Sequence, residues 1–234
     1  MTTHALRKQV KDTICALHEN FGRNIDEIGP DINILFDLID FNSRIISESR
    51  TILLEFYCEN DGQNKICDEL LDEVFTDFSL AMYLCATGLI VPARMSVRRA
   101  FELCLASVYM WDLPHEYWGW RQCDEDLSFS KMVNHLNSVG YHAYLTHIHE
   151  CDPGTSICDH ERFQELYRNL SNTVHGKLNG LPPLSPERFV TEKNGINNHL
   201  KLIADVQEAV IRLLFRRFKG LEARIESIYP QIKR

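Results

Sequence analysis

The stretch Glu161-Arg-Phe-Gln-Glu-Leu-Tyr-Arg-Asn-Leu-Ser-Asn-Thr-Val-His-Gly176 decides how the chain is read. Its spacing predicts a helix with two faces. Leu166, Tyr167, Leu170 and Val174 fall on a packing side, and Arg168, Ser171, Asn172 and His175 on a polar side. Arg168 and His175 stand seven residues apart, two turns less about 20°, so a fixed cation and a titratable ring share one line. An arginine supplies bidentate charge for phosphate oxygens, and an imidazole moves protons near neutrality. The plain structural account is an arginine in surface ion pairs and a histidine closing the helix before Gly176.

Outward from this stretch, helical spacing recurs over the whole chain and no period-two alternation bounded by turns is found. The spacing predicts helices over Ala5–Phe21, from Pro30 towards Cys58, and over Ile66–Leu84. A fourth has Pro92 in its first turn and reaches Trp111. Leu127–Glu150 reads as one or two short helices divided near Gly140, and a last helix runs from about Ile196 to Tyr229. Glu59–Asn64, Asp112–Asp126 and Lys177–Pro186 read as irregular connections because of their Gly, Pro and acidic content. The expectation is an all-α protein, with residues 1–60 a helical extension packed on a helical domain over 61–234.

Composition narrows the classes. At 44% apolar and 25% charged residues the chain has the balance of a globular domain. No apolar run approaches the ~20 residues of a membrane helix, no secretory h-region follows the N-terminus, and a cytoplasmic location is expected. Eight cysteines scattered through apolar helical patterns read as reduced core thiols. The net charge of −8 argues against indiscriminate nucleic-acid binding. The charge is uneven, however. Residues 1–159 carry 12 Lys and Arg against 25 acids, whereas residues 160–234 carry 13 against 8. The positive excess lies with the opening stretch, where a basic cleft can hold a phosphate chain.

Leu-Tyr-Arg168-Asn169-Leu-Ser-Asn-Thr-Val-His175-Gly closely resembles the signature of the HEPN superfamily: an arginine, a polar residue, and a histidine after four to six intervening residues. Here six intervene. A second match lies upstream, where Arg98 precedes Glu102 by four in a helix resembling the earlier core helix of HEPN-like families, with Arg94 extending the stripe. The resemblance spans about residues 67–219 and implies a HEPN-like helical bundle. Many HEPN proteins are metal-independent ribonucleases of prokaryotic defence and toxin systems. Others are non-catalytic interaction or scaffold proteins, and that is the alternative reading.

The resemblance implies Arg168 and His175 as catalytic residues, with Asn169, Ser171, Asn172, Arg98 and Glu102 in support. It further implies an RNA substrate, no cofactor, and a homodimer in which two motifs face each other, because one Arg–His pair is short of a full acid–base set. Products would end in 2′,3′-cyclic phosphate. An antitoxin or an activating defence protein is a further expected partner, and a membrane is not.

Two other groups carry chemistry of their own. Arg212, Arg216 and Arg217 cluster late in the last helix as candidate RNA contacts, joined by Arg94. His147, His149, Cys151, Cys158 and His160 gather metal-ligand types, but Cys151 and Cys158 are wider apart than the usual zinc pair, and no metal is expected. There is no glycine-rich phosphate loop, no serine-nucleophile motif and no acidic array suited to magnesium.

Overall fold

The computed structural model describes residues 3–26, 28–151, 156–174 and 193–232. The chain is all-α, 84% helical, with no strand among the described residues. The helices are α1 (Thr3–Asp26), α2 (Pro30–Phe56), α3 (Asp61–Lys65), α4 (Asp72–Ala86), α5 (Ile90–Trp111), α6 (Pro114–Cys123), α7 (Phe129–Leu136), α8 (Val139–His147), α9 (His160–Val174), α10 (Lys193–Arg217) and α11 (Leu221–Ile228). A π-helical turn, Ile66–Leu71, joins α3 to α4 without a break.

Helix α5 is the axis of the bundle, for a reason visible in its letters. From Leu103 to Trp111 every residue is buried. A helix apolar all round has to be covered on every side. Its covers are α4, α10, α9, α7 and α6. Val97, Phe101, Cys104 and Val108, its expected packing face, are all at or below 1% exposure.

Helix α2 closes the bundle on the α10 side. Ile39, Ile46 and Leu53, spaced by sevens, are fully buried. The Gln207 amide donates from α10 to the Ile39 carbonyl at 3.2 Å and to Ser43 Oγ at 2.9 Å. Thus α2 belongs to the core itself, and within residues 1–60 it is α1 that stands apart. Helix α1 touches the bundle at its C-terminal end, where Asn24 Nδ2 donates to the Thr87 carbonyl at 2.9 Å. Farther out, Val10 and Ile14 are exposed.

Several expected connections are helical instead. Asp61–Lys65 forms a turn of helix because Asn60 caps it, its Oδ1 accepting from the Gln63 amide at 3.0 Å. Pro114 occupies the first turn of α6 rather than breaking a helix, and Tyr117 buries the segment at 1% exposure. The α7–α8 division, expected near Gly140, falls at Ser138, which caps α8 through the Tyr141 amide. The expected last helix is two: Gly220, at φ +86°, turns the chain between α10 and α11. The Lys177–Pro186 connection lies outside the described residues. No helix among them is long and apolar enough to cross a membrane.

Candidate functional site

Helix α9 forms where the sequence places it. Asp159 Oδ1 accepts from the Arg162 amide at 3.0 Å, satisfying one of the orphan donors of its first turn. Its apolar side, with Phe163, Leu166 and Leu170 buried, lies against α5. Phe101 and Phe163 meet with ring centroids 4.9 Å apart, and Phe129 of α7 stacks on Tyr167 at 3.9 Å.

This packing sets the polar contacts. Arg98 Nε donates to Glu102 Oε1 at 3.0 Å, its Nη2 donates to the Tyr167 hydroxyl at 2.7 Å, and its guanidinium lies 4.9 Å from the Tyr167 ring centre. Partial burial pulls the Arg98 pKa down, but the hydrogen bond and charge of Glu102 outweigh it, so the net direction is up. Burial raises the Tyr167 hydroxyl. One turn further along α9, the Ser171 hydroxyl lies beside the Tyr167 oxygen. It is buried without a hydrogen bond of normal geometry. Arg98, Glu102 and Ser171, three of the expected supporting residues, therefore share one seam.

Tyr167 is the member that the sequence placed only on the packing side. His199 is the residue that sequence reasoning missed. It sits on the buried stripe of α10 between Ile196 and Leu200, 9% exposed, and its Nδ1 accepts from Arg94 Nε at 3.3 Å. Burial, then the Arg94 charge, holds its pKa down at about 4. A polar letter at an apolar position of a strong helical stripe was the available signal.

Arg168 and Asn169 face solvent, and Asn172 is half-buried. Among the described residues Arg168 makes no ion pair. His175 lies outside the described residues, so its alignment with Arg168 remains a reading of the sequence.

The other arginines separate. Arg217 is no RNA contact: it is 3% exposed and holds Asp112 through bonds of 2.9 Å to both carboxylate oxygens. Its Nε also donates to the Tyr141 hydroxyl at 3.0 Å. Arg94 is half-buried rather than part of an open surface. Arg212 pairs with Glu208, and Arg216 Nη1 donates to the Ser156 carbonyl at 3.3 Å. These two line a hollow of about 210 Å³ with Arg162, Asp159, Asp205 and Glu208, three cations against three acids. The hollow lies by the first turn of α9, about 14 Å along its axis from Ser171, so these arginines do not join the Arg98 seam. A hollow of about 570 Å³ elsewhere is walled by Asp68, Glu69, Asp72 and Glu73 with Arg99 and Arg121, a net acidic lining that disfavours a polyanion.

Among the described residues no three His, Cys, Asp or Glu side chains are gathered to hold a metal, and no disulfide joins the cysteines. Of the metal-type residues, Cys151 and Cys158 are buried, and burial pushes the Cys158 thiol up to about 12. Cys85, beside Arg94, is fully buried and likewise pushed by burial to about 12.

No protein-family model, no curated protein and no solved structure matches the chain. Any functional reading has to stand on the residues and their geometry.

Proposed function

We propose that the protein is a metal-independent endoribonuclease of HEPN type, with Arg168 and His175 as its catalytic pair and a second copy of the chain completing the site. The observation that carries this reading is the division of labour among the arginines around α9. Arg98 is locked between Glu102 and Tyr167, whereas Arg168, on the same helix as Tyr167, is exposed and has no acid partner among the described residues. An unneutralised guanidinium beside a rigidly held seam suits a phosphate better than it suits stability.

In the reaction, the RNA 2′-oxygen attacks the adjacent phosphorus and the bond to the 5′-oxygen breaks. A base takes the 2′-hydroxyl proton and an acid returns one to the 5′-oxygen, leaving a 2′,3′-cyclic phosphate and a 5′-hydroxyl. His175 is the motif group suited to proton transfer, and Arg168 the group suited to charge on the phosphorane. One chain offers one such pair, so the second proton carrier is the His175 of a partner copy. The setting would be defence against phage or a toxin restrained by a cognate protein.

The test is cleavage of single-stranded RNA by purified protein in the presence of a chelator, with the product ends mapped. Cyclic-phosphate products that disappear in His175→Ala are expected. Equal cleavage by wild type and His175→Ala would remove the assignment. A homogeneous, folded wild type that cuts no RNA would favour the non-catalytic scaffold.

A further inference from the structure

Cys58 and Cys67 stand nine residues apart in sequence, and the fold turns them towards each other. Helix α2 ends with the Tyr57 and Cys58 amides both donating to the Leu53 carbonyl at 3.0 Å, which folds Cys58 back over the last turn. After α3, the π-helical turn Ile66–Leu71 packs against α2. There Arg50 pairs with Asp68 and, at 4.0 Å, with Asp72. Cys67 Sγ donates to the Arg50 carbonyl at 3.5 Å. Two ion pairs and a hydrogen bond thus hold Cys67 against α2, and the two thiols lie within hydrogen-bonding reach of each other.

The pair is asymmetric. Cys67 has no exposed surface, whereas Cys58 is half-buried and open to a small reagent. Burial raises both thiols above their ordinary value, Cys67 the more strongly. Exchange at this pair is therefore slow, because the thiolate is the attacking species. The same burial favours the oxidised form once it is made. A dithiol whose thiolate is well stabilised makes an easily reduced disulfide. Here burial outweighs the one stabilising charge, that of Arg50, so the reduced pair gains little and a bond between the sulfurs resists reduction.

We propose that Cys58 and Cys67 form a reversible disulfide by exchange with a low-molecular-weight disulfide, stapling the end of α2 to the π-helical turn. The Cys58 thiolate attacks one sulfur of the reagent, giving a mixed disulfide and releasing one reduced thiol. The Cys67 thiolate then attacks the Cys58 sulfur and releases the second. Each protein thiol's proton leaves on a released thiol, and two protein thiols are oxidised as one reagent disulfide is reduced. On oxidation Cys67 gives up its bond to the Arg50 carbonyl. The staple needs nothing of the ribonuclease reading.

The experiment incubates the full-length folded protein with excess oxidised glutathione, blocks the remaining thiols by alkylation, and maps the peptides by mass spectrometry. The expected product is a peptide pair joined through Cys58 and Cys67, lighter by two hydrogens than its reduced form and carrying no reagent. The exposed Cys15 and Cys123 serve as controls, since their mixed disulfides show that the reagent was active. Cys58 and Cys67 recovered as free thiols beside modified controls would overturn the staple. So would a mixed disulfide at Cys58 that never resolves in wild type. Cys67→Ser should stop the reaction at that mixed disulfide, and Cys58→Ser should leave Cys67 unmodified. The wild-type map decides the matter even if either variant fails to fold. The rate of bond formation should rise about tenfold from pH 7 to pH 8 as thiolate becomes more abundant. A pH-independent rate would overturn the assigned attack by Cys58.

Discussion

The two ends of the α5–α10 pair hold arginines in opposite circumstances. At one end Arg217 is enclosed with Asp112, Tyr141 and, at 3.7 Å, Glu150. Burial alone would lower its pKa, but Tyr141 and Asp112 reverse the direction and raise it. At the other end Arg94 donates to a neutral imidazole, and burial lowers its pKa. A buried cation matched by a carboxylate is a structural tie. The Arg94–His199 contact instead joins a half-buried cation to a ring that accepts its hydrogen bond without carrying a charge. Arg168, exposed on the neighbouring α9, is a third case, with neither burial nor an acid among the described residues to explain it.

The largest effect should come from the matched end. Arg217→Ala strands Asp112 in a nearly closed site and is expected to cost about 3–5 kcal/mol in urea unfolding. A loss below about 1 kcal/mol would mean that the pair is no structural tie.

Next comes acid sensitivity at the opposite end. His199 is held neutral in the folded protein, with its pKa lowered from 6.5 to about 4, while the unfolded chain takes up a proton at the ordinary value. Stability from this group is therefore full above pH 6.5 and falls as pH drops towards about 4, by at most roughly 3 kcal/mol, with no further loss from it below. The groups facing the ring are Arg94 and, beside that arginine, the thiol of Cys85. Unfolding free energy measured against pH should show this slope in wild type and lose it in His199→Gln. An identical slope in both would separate His199 from the effect.

A smaller cost attaches to the seam. Tyr167→Phe removes the acceptor for Arg98 Nη2 but keeps the stack on Phe129, so about 1–2 kcal/mol is expected by the same unfolding assay.

How much of this was legible in the letters follows from how local each cause is. Helices with caps or apolar stripes, such as α2, α5 and α9, announce themselves. The central role of α5 is written in its unbroken buried run from Leu103 to Trp111. Helix α6 was hidden because Pro114 and Gly119 read as breakers, when a proline in a first turn is a start. The break at Gly220 depends on one left-handed residue inside a long periodic run. Arg98 and Glu102 were found by spacing, but their hold on Tyr167 crosses 69 residues of chain. The Arg94–His199 pair crosses 105, and no local pattern encodes it. The same distance explains Arg217: next to Arg216 in sequence it looks like part of a basic cluster, and only the fold reveals its carboxylate.

The central claim is that the arginine which fold stability does not need is the one the chemistry needs. It is tested most directly by the RNA cleavage rate of Arg168→Ala, read on protein whose unfolding free energy is within about 0.5 kcal/mol of wild type. The expected result is a fall of roughly 100-fold or more. A folded Arg168→Ala protein that cleaves at the wild-type rate would make Arg168 an ordinary surface charge and contradict the account.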